Sequence, residues 1–216
     1  MIYYHILFKR DKNVKIVTLV NKNIFASNCY ILLSSDSFSV IDPSVSFFEA
    51  QKSIPQLQDL KPGYVLLTHG HIDHMWHIYS YTEIGCQVIV SHEDAMLVKD
   101  KALNCAFMLN GNISEYNGSY FEISDGDKIA VGDVTFNVLA TPGHTAGSVC
   151  YLSEGIIFTG DTLFAGGSYG RYDLPTGNFE QLRTSLRNLL NLDGSISVYP
   201  GHGEKTTINE TKLFFI

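Results

Sequence analysis

Thr68-His69-Gly70-His71-Ile72-Asp73-His74 is the stretch on which the reading of this sequence turns. Three histidines and one aspartate fall between positions 69 and 74, after an apolar run and ahead of helical spacing. On an extended loop His69 and His71, two apart, point the same way and can grip one cation. Asp73 and His74, at the start of a helix, can reach a second cation beside it. Neutral imidazole nitrogens and a carboxylate suit zinc or a similar first-row divalent ion. Chance clustering is a poor explanation, because only eight histidines are spread over 216 residues.

Three signals further along complete the set. Thr141-Pro142-Gly143-His144-Thr145 follows an apolar run, and Pro-Gly turns the chain so that His144 lies at a strand end. Thr159-Gly160-Asp161-Thr162 follows another, and Tyr199-Pro200-Gly201-His202-Gly203 follows the last. Each is weak alone, since a lone Asp after a strand is usually a turn or a helix cap. Together they place every potential ligand at the C-terminal end of a strand, where sites form in layered α/β folds.

The flanking pattern agrees. Residues 15–20, 29–33, 38–41, 64–68 and 87–91 are short and rich in β-branched and aromatic residues, as strands are. Residues 46–60, 73–84 and 93–99 read as helices between them, so the chain opens on a β-α-β-α pattern. Residues 128–131, 134–140, 148–152, 156–159 and 196–199 read as strands again. Phe179, Leu182, Leu186, Leu189 and Leu190 give residues 179–192 helical spacing. The chain thus reads twice as strands followed by a helix, which two face-to-face sheets with helices outside would accommodate. Residues 101–120 fit neither pattern and are expected either to pack under a loop or to wall a substrate site. No linker or repeat divides the chain, and one domain over residues 1–216 is expected.

Composition bounds the function. Hydrophobic residues at 45% and charged residues at 17% describe an ordinary globular protein rather than a disordered one. A net charge of -7 argues against charge-driven binding to nucleic acid. No apolar run approaches the ~18 residues of a membrane span, and the basic residues follow the short N-terminal apolar run instead of preceding it. A cytosolic protein with no membrane or nucleic-acid partner is expected. Cys29, Cys86, Cys105 and Cys150 form no CxxC pair and read as reduced, mostly buried thiols.

The order HxHxDH, PGHT, TGDT and PGHG resembles the metallo-β-lactamase superfamily, over nearly all of the chain from about Asn28 to His202. The resemblance implies an α/β fold, an αββα sandwich of the metallo-β-lactamase type. Within the superfamily the small glyoxalase II-like (hydroxyacylglutathione hydrolase-like) hydrolases look most similar. Thr162-Leu163-Phe164 and the run from Gly166 to Asp173 resemble their loop after the aspartate. By that resemblance His69, His71 and His144 bind a first metal, Asp73, His74 and His202 bind a second, and Asp161 bridges them. Met75-Trp76-His77 departs from the family's usual Ile-Gly-Gly and adds bulk near the helix start. The helical region with which glyoxalase II proper helps to hold glutathione is not matched, so glutathione specificity is not carried over.

The chemistry implied is hydrolysis. Two divalent ions, zinc first with iron or manganese as alternatives, share a water and lower its pKa from near 16 towards ~7. The resulting hydroxide attacks a small-molecule acyl carbonyl, a thioester first, while a metal stabilises the oxyanion. Asp73 holds a metal and orients the hydroxide. Tyr169, Arg171 and His77 are candidate substrate contacts, His77 because a helix would put it on the side of Asp73 and His74. Arg171 and Asp173 are equally readable as a structural pair. A lactonase would use the same ions on a cyclic ester. A persulfide dioxygenase would use one iron on His69, His144 and Asp161. Phosphodiester hydrolysis and a non-catalytic metal scaffold are the remaining readings.

Overall fold

The structure, a computed structural model, describes residues 2–6, 14–21, 27–108 and 115–215; positions 109–114 of the 101–120 segment lie outside them. Strands β1 (Ile2–Ile6), β2 (Lys15–Val20), β3 (Asn28–Leu33), β4 (Ser37–Ile41), β5 (Lys61–Leu66), β6 (Gln87–Ser91) and β7 (Tyr120–Ile123) form one sheet in that order. β1 to β4 are antiparallel neighbours, and β4 to β7 run parallel. The second sheet holds β8 (Lys128–Val131), β9 (Val134–Ala140), β10 (Val149–Ser153), β11 (Ile156–Gly160), β12 (Ser197–Pro200) and β13 (Thr206–Thr207), in the order β13-β12-β11-β10-β9-β8. Helices α1 (Phe47–Ser53), α2 (Ile72–Met75) and α3 (Ile78–Thr82) belong with the first sheet. Helices α4 (Phe179–Leu190) and α5 (Ile208–Lys212) belong with the second.

Side-chain alternation with a period of two turns these elements into four layers. In β3, Cys29, Ile31 and Leu33 pack under the helices with Ile72, Ile78 and Tyr81. Tyr30 and Leu32 point the other way, into the layer between the sheets. In β11, Ile156 and Phe158 enter that same central layer, whereas Ile157 meets Leu182, Leu186 and Leu189 of α4. Three apolar layers therefore separate helix, sheet, sheet and helix, the αββα sandwich that the sequence predicts.

Where observed elements differ from the sequence reading, backbone chemistry explains it. The helix expected over residues 46–60 ends at Ser53, because Pro55 has no N–H to donate and drives Ile54 to φ -133° and ψ 77°. Residues 57–59 continue as part of a 3₁₀ turn, Pro55–Asp59. The helix expected over 73–84 is two short helices that break at Trp76 and His77, where His77 adopts φ -114° and ψ 24°. Residues 93–99 form two 3₁₀ turns instead of a helix. β7 lies inside and beyond the end of the irregular 101–120 segment, and β13 and α5 follow the last expected strand.

Phe158 is fully buried between the sheets, with ring centroids 5.0 Å from Tyr30, 5.1 Å from Tyr199 and 5.9 Å from Phe136. Phe158→Ala should lower unfolding stability by about 3–5 kcal/mol, read from the urea midpoint at unchanged slope. A loss under about 1 kcal/mol would mean that the central layer repacks around the missing ring.

Candidate metal centre

Strand direction gathers the histidines and aspartates at one edge of the sandwich. β4 and β5 are parallel, so Asp42 and the loop with His69 leave the first sheet on the same side. β11 and β12 are parallel, and β9 reaches β11 through two antiparallel pairings, so all three run the same way. His144, Asp161 and His202 therefore leave the second sheet together. The two edges are tied by Val149 N–H donating to Thr68 O at 2.8 Å and by Tyr151 O–H donating to Leu67 O at 2.7 Å.

All seven residues that the sequence proposes as ligands converge there. His69, His71 and His144 form one group, and Asp73, His74 and His202 another; His69, His74 and Asp161 form a third that overlaps both. His144 Nε2 lies 3.2 Å from His69 Nε2 and 2.9 Å from His71 Nδ1. His74 Nε2 lies 3.2 Å from Asp161 Oδ1 and 3.5 Å from Asp73 Oδ2. His202 Nε2 lies 3.2 Å from Asp73 Oδ2 and 3.5 Å from Asp161 Oδ2. Asp161 Oδ2 also lies 3.6 Å from His144 Nε2, so Asp161 stands near members of both groups.

The donor set fits divalent cations. Two nitrogens about 2.05 Å from a tetrahedral ion stand about 3.3 Å apart, close to the separations seen here. At the cluster, His74 Nε2 and Asp161 Oδ1 are buried and make no well-aligned hydrogen bond, which is costly for polar atoms that nothing else satisfies. Ring orientation also points outward-facing lone pairs into the cluster. His144 Nδ1 donates to Arg171 O at 2.7 Å, and His74 Nδ1 meets Asp42 Oδ2 at 2.8 Å, leaving Nε2 of each as the ligand atom. His69 Nδ1 lies 3.1 Å from Thr68 Oγ1, whose own proton goes to Asp42 Oδ2 at 2.8 Å.

Charge and burial act in opposite directions across the cluster. Burial, reinforced by neighbouring histidines, pushes the His71 imidazole down to about 3 and His69 well below the usual range, so both are neutral near pH 7. Burial also opposes charge on His74, but the carboxylates of Asp42, Asp73 and Asp161 together hold it well above the ordinary histidine value. Burial alone would raise Asp73 and Asp161, yet His74 and His202 hold both below the usual carboxylate range. The ionised carboxylates and the neutral His69 and His71 are already in the forms that bind metals, whereas a cation at the second group would take the place of the proton that the carboxylates favour on His74 and His202.

Two residues that the sequence reading did not single out fix this geometry. Asp42, at the end of β4, is buried with φ 51° and accepts from Thr68 N–H, Thr68 O–H and His74. Asp94 accepts from Gly70 N–H, Gly147 N–H and Thr145 O–H, each at 2.8 Å, and clamps the His69 loop to the His144 loop. A strand-to-turn Asp before Pro43 carries no local signal of such a role. Gly201 is required by close approach: a Cβ there would run into Asp161 Oδ1 and the His74 ring.

A cavity of about 320 Å³ opens over the cluster, lined on one side by His71, Asp73, His144, Asp161 and His202. Ile72, Cys105, Met108, Leu174 and Arg171 make its other walls. Cys105 and Met108 of the 101–120 segment thus wall the site, while Tyr116 packs into the core under the helices. Arg171 stands at this wall and is paired with Asp173 through two hydrogen bonds of 2.8 Å. Tyr169 and His77 do not line this cavity. For His77 the break after α2 removes the helical spacing to Asp73; its ring stacks on Trp76 and senses Glu49 of α1. The cysteines are all buried, and burial pushes Cys29, Cys86 and Cys150 up to about 12 and Cys105 up to about 11. None joins a ligand group among the described residues.

An αββα sandwich with clustered histidines and aspartates at one edge defines a metal-binding enzyme fold. The metallo-beta-lactamase superfamily model matches residues 23–202, and the chain belongs to that superfamily, whose members are mostly hydrolytic metalloenzymes that bind divalent metals. An uncharacterized protein of Mycobacterium leprae is 37% identical over 199 residues, 87% of this chain and 91% of that one. The hydroxyacylglutathione hydrolase GloC of Haemophilus influenzae is 31% identical, with 91% of this chain and 94% of that one covered. The solved structure of TTHA1623 in a di-iron-bound form is 30% identical at TM-score 0.75, covering 89% of this chain and 96% of that one. No helix among the described residues is long and apolar enough to cross a membrane.

Asp42→Asn places an amide where three donors need a carboxylate, so metal affinity should fall about 10–100-fold in chelator competition. Unchanged affinity would show that the His69 and His74 rings are held without it. His77→Ala should keep the wild-type metal content by elemental analysis; loss of an ion would make His77 a ligand.

Proposed function

We propose that this chain is a binuclear metal-dependent hydrolase that cleaves an ester-type acyl bond in a small molecule, a thioester first, in the manner of glyoxalase II. The observation that carries this reading is the convergence of seven candidate ligand side chains into three overlapping groups, with five of the seven lining one open cavity. The likeness to GloC supports the thioester preference.

His69, His71 and His144 would hold one ion and Asp73, His74 and His202 the other, with Asp161 between them. Two divalent ions, zinc first with iron or manganese as alternatives, would supply an acidified water as nucleophile and positive charge for the developing oxyanion. Asp73, at the helix start with Oδ2 close to His74 and His202, would hold the second ion and orient that water. Ile72, Met108 and Leu174 hold the apolar part of an acyl substrate and exclude bulk water from the carbonyl. Arg171, its guanidinium oriented by Asp173, faces an anionic group on the substrate. No serine or cysteine nucleophile is needed, in keeping with the protonated thiol of Cys105 on the cavity wall.

Elemental analysis should find near two divalent ions per chain, and the loaded protein should hydrolyse members of a thioester and lactone panel. Asp161→Ala should reduce the content to one ion or fewer. A single iron with one group unfilled would overturn the binuclear reading. Two ions with no turnover of any thioester or lactone would overturn the acyl-hydrolase reading. Turnover of lactones alone would move the substrate to cyclic esters.

A further inference from the structure

His202 hangs on the loop Pro200-Gly201-His202-Gly203, and the hydrogen bonds that fix this loop come from across the sandwich. Asn28, at the start of β3 in the other sheet, is 5% exposed. Its backbone N–H donates to Gly201 O at 2.6 Å. Its side-chain Nδ2 donates to Pro200 O and to Gly203 O, each at 3.0 Å. Tyr30 O–H, one residue pair further along β3, donates to Pro200 O at 2.5 Å. The carbonyls immediately before and after His202 therefore both end on Asn28. Two carbonyl acceptors also fix the amide's orientation, since its oxygen placed there would face oxygen.

The loop has no slack on its other side. Gly201 N–H donates to Gly160 O at 2.7 Å, next to Asp161, and Gly201 itself abuts Asp161 and the His74 ring. A shift of the loop therefore moves His202 against its partner ligands directly. The first group has separate supports, Thr68 under His69 and the Arg171 carbonyl under His144.

We infer that Asn28 is a positioning residue for His202, and that its side-chain amide sets the affinity of the Asp73, His74 and His202 group without affecting the His69, His71 and His144 group. This rests on the two-metal reading above. It assigns to a residue in the opposite sheet, some 170 positions away in sequence, control over which of two adjacent sites fills.

The test is zinc titration of the stripped full-length protein against a chromophoric chelator, with two dissociation constants fitted. Wild-type protein, Asn28→Ala, Asn28→Asp and Tyr30→Phe are compared, with circular dichroism and urea midpoints confirming that each is folded. Asn28→Asp keeps the side chain's size but turns a carboxylate on the carbonyls. Both Asn28 variants should weaken the second ion about 10–100-fold and leave the first within about threefold, with Tyr30→Phe between wild type and Asn28→Ala. Where Asn28→Ala does not fold, Asn28→Asp and Tyr30→Phe decide. Wild-type affinities for both ions in the variants would overturn the inference and leave the two-metal reading intact. Equal weakening of both ions would also overturn it, by making Asn28 general support for the edge. A wild type that binds one ion only would overturn the two-metal reading and the inference with it.

Discussion

The buried carboxylate of Asp42 holds both halves of the metal centre in register. A carboxylate at 1% exposure is stable only where donors replace its water, and Asp42 receives three from Thr68 and His74. Through Thr68 it reaches His69 of the first ligand group, and through His74 it reaches the second. One anion therefore sets the orientation of a ring in each group and the spacing between them. Its φ of 51° lets the chain leave β4 sharply enough to bring that carboxylate back under the His69 loop, a conformation that Asp tolerates better than most residues.

That anion works only because the sandwich brings two sheet edges together. The strand ends that carry Asp42 and His69 belong to one sheet, and those that carry His144, Asp161 and His202 belong to the other. Asp94 links the His69 loop to the His144 loop, and Asn28 links β3 to the His202 loop. Among the described residues, the hydrogen bonds of Asp94 and Asn28 that join the sheets at this edge are buried or partly buried. The apolar central layer beneath, with Phe158, Tyr30 and Tyr199 in mutual contact, keeps the edges at the distance those bonds require. Ionisable groups packed this closely without compensating charge would repel or stay unsatisfied, and divalent cations relieve both costs at once.

The parts legible in the sequence were those whose signal is local. HxHxDH shows its chemistry in residue type and spacing, and the strands show theirs in alternation, so the candidate ligands that the fold brings together and the two-sheet plan were readable without coordinates. His77 misled because a spacing of three and four residues is meaningful only while a helix continues, and the helix breaks at Trp76. The long helix expected over residues 46–60 failed for a reason that was printed in the sequence, Pro55. Asp42, Asp94 and Asn28 were not legible as site residues. Each is an ordinary polar residue at a turn or strand start, and each acquires its role from a partner in another element.

The sequence by itself determined which atoms are available to bind metal and that they fall at strand ends, because ligand chemistry and secondary-structure periodicity are written in neighbouring residues. Tertiary structure alone decided which ligands share a group, which wall faces them and which residues hold them. Those choices depend on strand direction and sheet packing, and they bring together side chains such as Asn28 and Gly203 that no local pattern connects.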